Sequence, residues 1–239
     1  MSNRNLLKMK KSLIITKDGS HTISIPEMNV SYHSLHGAIQ ESEHVFINNG
    51  LLFFRNKNRT ADIHVLEMGF GTGLNALLTL IEAGPNLNIH YTTIELFPLN
   101  AEQVDTLNYC EQLKRDDLLP SFEKMHQCEW ERDVAINSFF TIHKLPLSLL
   151  NINNSNLVYN NFPRPDIIYF DAFAPSAQPE LWTREVFEML YAILKDNGIL
   201  VTYCSKGDVR RAMQASEFIV EKIPGPPGKR EIVRALKIG

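Results

Sequence analysis

The stretch DIHVLEMGFGTGLNALLTLIEAG, residues 62–84, constrains this chain more than any other. An unbroken apolar run ends in glycines and passes directly into the 3.6-residue apolar pattern of a helix, which stops at Gly84-Pro85. An apolar run without alternation is the pattern of a strand buried on both faces. The same order then recurs. NIHYTTIEL, FFTIHKL, PDIIYFDAF and GILVTYC read as further buried strands, with helices over Glu180–Leu194 and within GDVRRAMQAS. Strand alternating with helix predicts a mostly parallel α/β sheet covered on both faces. The last two runs, FIVEKIPG and REIVRALKI, are joined only by GPPGK. That is too short for a crossover, so they must pair antiparallel. Seven strands are expected in this sheet, the final one antiparallel.

The first 58 residues have a different texture. SLIITKDGSHTISI alternates around Asp18-Gly19, a hairpin signal. A short helix is expected near Gly37–Glu43, then an extended segment broken at Asn49-Gly50. The chain thus divides into a small β-rich extension, residues 1–58, packed on a main domain of residues 59–239. Within that domain residues 98–137 are polar, with helical stretches around Leu99–Leu107 and Glu111–Leu118 and Pro120 between elements. LNINNSNLVYNN, with six asparagines in twelve residues, reads as a surface loop.

Composition excludes several classes. No run approaches eighteen apolar residues, so no membrane-spanning helix is expected, and SLII near the N-terminus is too short for a secretory core. Cys110, Cys128 and Cys204 are scattered and lack C-x-x-C spacing, which fits reduced thiols in the cytoplasm and no metal site. The eight histidines form no H-x-x-x-H pair; His33 and His36 are three apart without an evident acidic or cysteine partner. No G-x-S-x-G or G-K-[ST] occurs, which weighs against hydrolase and P-loop chemistry. Trp130 and Trp182 read as packing anchors. Net charge is −3, but residues 1–11 carry +4 and residues 206–239 another +4, against −11 for the rest. Basic ends on an acidic body suit a local polyanion contact.

The glycine loop narrows the ligand. Gly69, Gly71 and Gly73 follow the first buried strand at the mouth of a helix, where backbone approaches a ligand closely and free N–H groups are on offer. Their spacing is G-x-G-x-G, whereas the dinucleotide fingerprint is G-x-G-x-x-G. A cofactor without a diphosphate fits better. Glu67, at the end of that strand, is an acid available to a cationic amino group. Glu95, twenty-two residues past Gly73, ends the second strand, where a carboxylate can bind a ribose diol. An adenosine-like ribose with an amino-acid tail describes S-adenosylmethionine. Asn75, just inside the helix, joins this candidate set.

Asp171 is the other informative acid. It ends the buried run PDIIYF, and burying a charge is costly unless it has a partner. In an open α/β sheet ligands bind beyond the carboxyl ends of the strands, so Asp171 should project into the same crevice as the glycine loop. The alternative is a cap on the following loop, worth roughly 1 kcal/mol.

VLEMGFGTGLNALLTL, IELFPL, DIIYFDAFAPSAQPELWT, LVTYCSKGDVRRAM and PGPPGKREIVRA, in that order, resemble the methyltransferase module of MnmC-type tRNA-modifying enzymes, and HGAIQESEHVFINNGLL resembles that family's upstream segment. Asp-x-Phe-Ala-Pro with Pro179 and Trp182 downstream is the most specific element. The resemblance implies a Rossmann-like class I S-adenosylmethionine-dependent methyltransferase fold. It also implies methylation of the exocyclic amine of 5-aminomethyluridine at the wobble position (U34), with the tRNA anticodon loop as partner. Asp171 would orient that amine and Phe173 and Pro175 would wall the base. Arg210, Arg211, Lys229 and Arg230 are candidates for phosphate contacts. Longer members of the family add an FAD-dependent oxidoreductase half. No second glycine fingerprint occurs here, so a separate oxidoreductase is expected to supply 5-aminomethyluridine. One departure stands out: after the third strand, HKLPLSLLNIN offers no acid towards an adenine amino group. The competing reading is an aminopropyltransferase or another small-amine methyltransferase on the same fold.

Overall fold

The computed structural model describes residues 10–154 and 163–239. Arg4 and Lys8, and most of the asparagine-rich stretch, lie outside these residues. Eight strands form the main sheet in the order β10-β11-β9-β8-β4-β5-β7-β6. They are β4 (Asp62–Met68), β5 (Asn88–Ile94), β6 (Asp133–Asn137), β7 (Phe140–Leu145), β8 (Ile167–Phe170), β9 (Ile199–Thr202), β10 (Ile219–Pro224) and β11 (Glu231–Leu236). β4 runs parallel to both β5 and β8, β5 is parallel to β7, and β8 is parallel to β9. β11 is antiparallel to β9 and to β10, as the short connection demands. β6 is the added strand: a polar edge segment, antiparallel to β7, whose alternating exposure left no apolar run to read.

Both faces of the sheet are covered. In β8, Ile167 and Tyr169 pack on one face and Ile168 and Phe170 on the other, which is why PDIIYF carries no alternation. One face is covered by α2 (Leu74–Glu82) and the helices of the polar segment, the other by α6 (Arg184–Ile193) and α7 (Gly207–Ala215). That polar segment departs from expectation. It forms α3 (Ala101–Asp105), α4 (Tyr109–Gln112) and then α5 (Leu119–Gln127), so Pro120 lies inside the first turn of a helix instead of between elements. Proline is accommodated there because its missing N–H has no intrahelical partner anyway.

The extension also differs. β1 (Ser12–Ile15) and β2 (His21–Ile25) form the expected hairpin, joined by β3 (Val30–Ser31). The expected short helix is present as Ala38–Ser42, but the segment expected to be extended continues it: Glu43–Leu52 and Phe53–Asn58 run on from it as one helix, α1, whose middle ten residues are wound as π-helix. The wider i→i+5 turn lets the near-continuous apolar run VFINNGLLFF bury Val45, Phe46, Ile47, Leu51 and Phe54, a pattern that resembles strand when a 3.6-residue period is sought. Gly50 sits inside this helix because a Cβ there would lie 3.1 Å from Val201 and 3.2 Å from Tyr169. The helix therefore shares the core of the sheet. Each large apolar side chain so buried contributes about 1.5–3 kcal/mol.

Among the described residues no helix is long and apolar enough to cross a membrane. Gly50→Val should destabilise the protein by about 1–3 kcal/mol through overpacking against β8 and β9. A urea-denaturation midpoint equal to that of the parent protein would contradict the close approach of α1 to the sheet.

Candidate active site

The order of the strands reverses at β4. The chain passes from β4 to β5 and β7 on one side and later returns to β8 and β9 on the other. Such a switch point leaves a crevice at the carboxyl ends of the strands. Here it holds a cavity of about 410 Å³, within the range that takes small ligands. Gly69 follows β4 with φ 95°, and a Cβ on it would lie 3.2 Å from the Asp171 carbonyl oxygen. The Asp171 N–H donates to the Met68 carbonyl at 3.2 Å. The two loops are thus held edge to edge. Gly71, with φ 51°, would press a Cβ to 2.8 Å from the ring of Tyr32.

Gly69, Gly71, Asn75, Glu95, Asp171 and Phe173 line the cavity together, so five of the seven residues expected to hold a cofactor border one space with Phe173. Glu67 and Gly73 do not line it. Glu67 is fully buried beneath the floor, where Oε2 accepts from the Thr93 hydroxyl at 2.9 Å and Oε1 from the Asn75 amide at 3.1 Å. The same Asn75 Nδ2 donates to Asp171 Oδ2 at 2.9 Å. Burial holds the Asp171 carboxyl well above the usual carboxylate range, and the charge of Glu41 raises it further. Burial likewise raises Glu67, with the Asp171 charge adding to the effect. Glu95 is fixed by two backbone donors, Gly71 N–H at 3.0 Å and Phe97 N–H at 2.7 Å.

Several features fit a ligand with its own donors. Asn75 Oδ1 is buried at this wall with no partner in the protein, and Thr72 also lines it. Beyond β7, where the sequence offered no acid, the wall is Leu147, Ser148, Leu149 and Leu150, facing Leu96 and Phe97 from the end of β5. An aromatic heterocycle could be held there by apolar contact instead of a carboxylate. The residues present thus fit S-adenosylmethionine. Asn75 is available to its polar tail, Glu95 to a diol, and the leucines to a flat base. No group of three or more His, Cys, Asp or Glu side chains among the described residues is arranged to hold a metal.

The extension supplies the roof, which sequence reasoning missed. Lys11, Ile25, Met28, Tyr32 and His33 line the cavity, and the Tyr32 ring meets Phe173 edge-on at 5.1 Å. His33, close to the charge of Glu41, is pushed down to about 4 by burial. It is neutral at physiological pH. Trp182 is the packing anchor expected of it: its indole donates to the Phe173 carbonyl at 2.8 Å and its ring packs on Phe170.

The remaining expected residues lie elsewhere. Pro175 is off the cavity wall. Lys229, expected to face phosphate, turns inward to pair with the buried Glu41 and to lie 4.0 Å above the Tyr203 ring. Arg211 is paired with Asp208, and Arg210 donates to the Ser205 carbonyl at 3.2 Å. Arg230 is exposed.

Fold and crevice together define an S-adenosylmethionine-dependent methyltransferase of Rossmann-like architecture. A family model described as S-adenosyl-L-methionine-dependent methyltransferase matches residues 122–238. A tRNA 5-methylaminomethyl-2-thiouridine biosynthesis bifunctional protein MnmC from Leptospira interrogans is 33% identical over 211 residues, covering 84% of this chain and 32% of its own length. The protein of that name from Burkholderia multivorans is 28% identical over 240 residues, covering 93% and 34%. The crystal structure of MnmC2 from Aquifex aeolicus superposes with a TM-score of 0.72 at 26% identity, over 95% of this chain and 70% of that one. Within that class the chain is similar to methyltransferase modules of the MnmC type. It spans about a third of the length of the curated relatives it matches.

A raised carboxyl pKa costs folding free energy as pH climbs from the unfolded value to the folded one, because the unfolded chain can then ionise freely while the folded carboxyl resists doing so. Asp171→Asn keeps an acceptor for Asn75 and removes that charge. At pH 7 it should raise the melting temperature by roughly 2–4 °C. A melting temperature at or below that of the parent protein would contradict the strained carboxylate.

Proposed function

We propose that this protein transfers the methyl group of S-adenosylmethionine to the exocyclic amine of 5-aminomethyluridine at the wobble position (U34) of tRNA, giving 5-methylaminomethyluridine. The observation that carries this reading is the position of Asp171. It borders the glycine loop, lies open to the cavity, and belongs to the Asp-Ala-Phe-Ala-Pro segment shared with the MnmC resemblance. The relatives' names supply the tRNA and the modified uridine.

When bound, S-adenosylmethionine supplies a methyl carbon activated by an adjacent sulfonium. The protein's task is mainly positioning, which can be worth roughly 7–11 kcal/mol in such a displacement. Asp171 accepts a hydrogen bond from the incoming amine and aims its lone pair at the methyl carbon. Its raised affinity for protons suits it to take one from the amine. Tyr32 and Phe173 border the approach, and the target base must leave the anticodon stack to reach them. The exposed Arg230 and Arg210, both close enough to Glu231 to act on its charge, replace Lys229 as the leading phosphate contacts. The chemistry calls for a reaction that delivers the aminomethyl group first, consistent with a separate FAD-dependent oxidoreductase in the cytoplasm.

An aminopropyltransferase acting on a free diamine is not favoured. Glu41 does add a carboxylate near Asp171 beyond Glu67, which the sequence did not reveal, but Lys229 already pairs with it, and Glu67 is sealed beneath the floor.

Incubating the protein and S-adenosylmethionine with tRNA that carries 5-aminomethyluridine, followed by nucleoside mass spectrometry, should show a gain of one methyl on that nucleoside. Asp171→Asn should slow single turnover by about 10²-fold or more. No methylated uridine, with transfer instead to a small amine, would overturn the reading. Arg210→Glu with Arg230→Glu should weaken tRNA binding and reduce its salt dependence; unchanged affinity would move the tRNA surface elsewhere.

A further inference from the structure

One ion pair near the cavity has no part in the chemistry above. Glu41, on α1, is 6% exposed. Its Oε2 accepts the Ser34 N–H at 2.7 Å, and its Oε1 pairs with Lys229 from the loop between β10 and β11. Lys229 Nζ lies 4.0 Å above the ring of Tyr203, whose hydroxyl donates at 2.8 Å to the carbonyl of Ala172, the residue after Asp171. The loop is pressed onto the extension at Gly228, which leaves no room for a Cβ beside the His36 ring. Two charges from opposite ends of the chain are thereby held together behind the Asp-Ala-Phe-Ala-Pro segment.

A carboxylate buried with a lysine is expensive unless it does something that an apolar pair of similar volume would not. Both charges act on Asp171, Glu41 raising and Lys229 lowering its proton affinity, with Glu41 the stronger. We propose that Glu41 and Lys229 are positioning residues for the transfer step: as an ion pair they set the charge around Asp171 and so its readiness to accept a proton from the substrate's ammonium. The inference rests on the methylation reading above. A primary ammonium enters with its nitrogen lone pair engaged. Its proton passes to the Asp171 carboxylate, giving a neutral amine and a neutral acid. The freed lone pair then forms the nitrogen–carbon bond while the carbon–sulfur electron pair stays with sulfur, and the product leaves as a secondary ammonium. The Asp171 proton is released to solvent.

The groups facing Asp171 are few enough for the signs to be worked out. From α2 and β4 come Asn75, an uncharged donor, and Glu67, sealed beneath the floor. From the end of β9 comes Tyr203 and from β5 comes Tyr91, both kept protonated by burial. From the extension come Tyr32, also kept protonated by burial, His33, neutral above about pH 4, and Glu41. The β10–β11 loop brings Lys229.

The test is the pH dependence of single-turnover methylation of aminomethyluridine-containing tRNA at saturating S-adenosylmethionine. Asp171 must be ionised to accept the proton, so the rate falls on the acid side of its titration. Lys229→Met leaves the Glu41 charge unopposed and should move that acid limb up by about one pH unit. Glu41→Gln should move it down by a similar amount. Lys229→Arg should restore it. A pair that only staples the loop would lower both rates and leave both limbs where they were, or move them in the same direction; either result overturns the proposal. Thermal melts and calorimetry with S-adenosylhomocysteine establish that each variant is folded. Should a single variant fail to fold, Glu41→Gln with Lys229→Met decides the matter. Removing both charges should move the limb down by less than about one unit, since Glu41 is the stronger influence, and an unmoved or raised limb would overturn the proposal. A parent protein inactive on this tRNA removes the functional reading and this inference with it; an active parent with unmoved limbs in the variants overturns the inference alone.

Discussion

A single amide, that of Asn75, donates to two acids at once: Glu67 beneath the floor and Asp171 at the cavity wall. Two carboxylates so close together and so poorly hydrated would repel, and either would retain its proton without compensation. The amide satisfies one oxygen of each, and Thr93 satisfies another oxygen of Glu67. Everything nearby is arranged to allow this. Gly73 turns the chain with φ 73° so that α2 begins immediately, which brings Asn75, its second residue, over the end of β4. Parallel pairing of Met68 with Phe170 brings Asp171 level with Gly69. The glycine loop is usually read for the ligand space it opens; here it equally positions the donor that keeps two acids in the structure.

Much of this was legible in the sequence, for identifiable reasons. Strands buried on both faces have no choice of residue, so VLEM and DIIYF announce themselves. The order of elements then fixes where their carboxyl ends converge, and with it the neighbourhood of Gly69, Gly71, Glu95 and Asp171. Glu67 was legible as an acid at a strand end, but one residue of pleat decides whether a side chain meets the crevice or the interior, and sequence carries no record of that.

What was not legible depended on partners far along the chain. Glu41 carries no local signal in the sequence because its cation, Lys229, is 188 residues away. Lys229 looked like a phosphate ligand for the same reason. The roof built by Lys11, Tyr32 and His33 sits on an extension whose hairpin was legible but whose place over the cavity was not, and α1 beyond its first turns was read as extended because its π-helical middle breaks the expected period. β6 escaped because an edge strand with one wet face needs few apolar residues.

The packing of α1 also bears on how the chain reaches its native state. Phe46 and Leu51 complete their environment only when β8 and β9 exist, and those strands are encoded more than a hundred residues later. During synthesis the first sixty residues therefore emerge with an oily helix and no surface to cover it. Contacts of such long sequence separation are slow to form, because the intervening chain must be ordered before they stabilise anything. Nascent molecules pass through an interval of stickiness in which helper proteins and neighbouring ribosomes compete with the chain's own unfinished sheet.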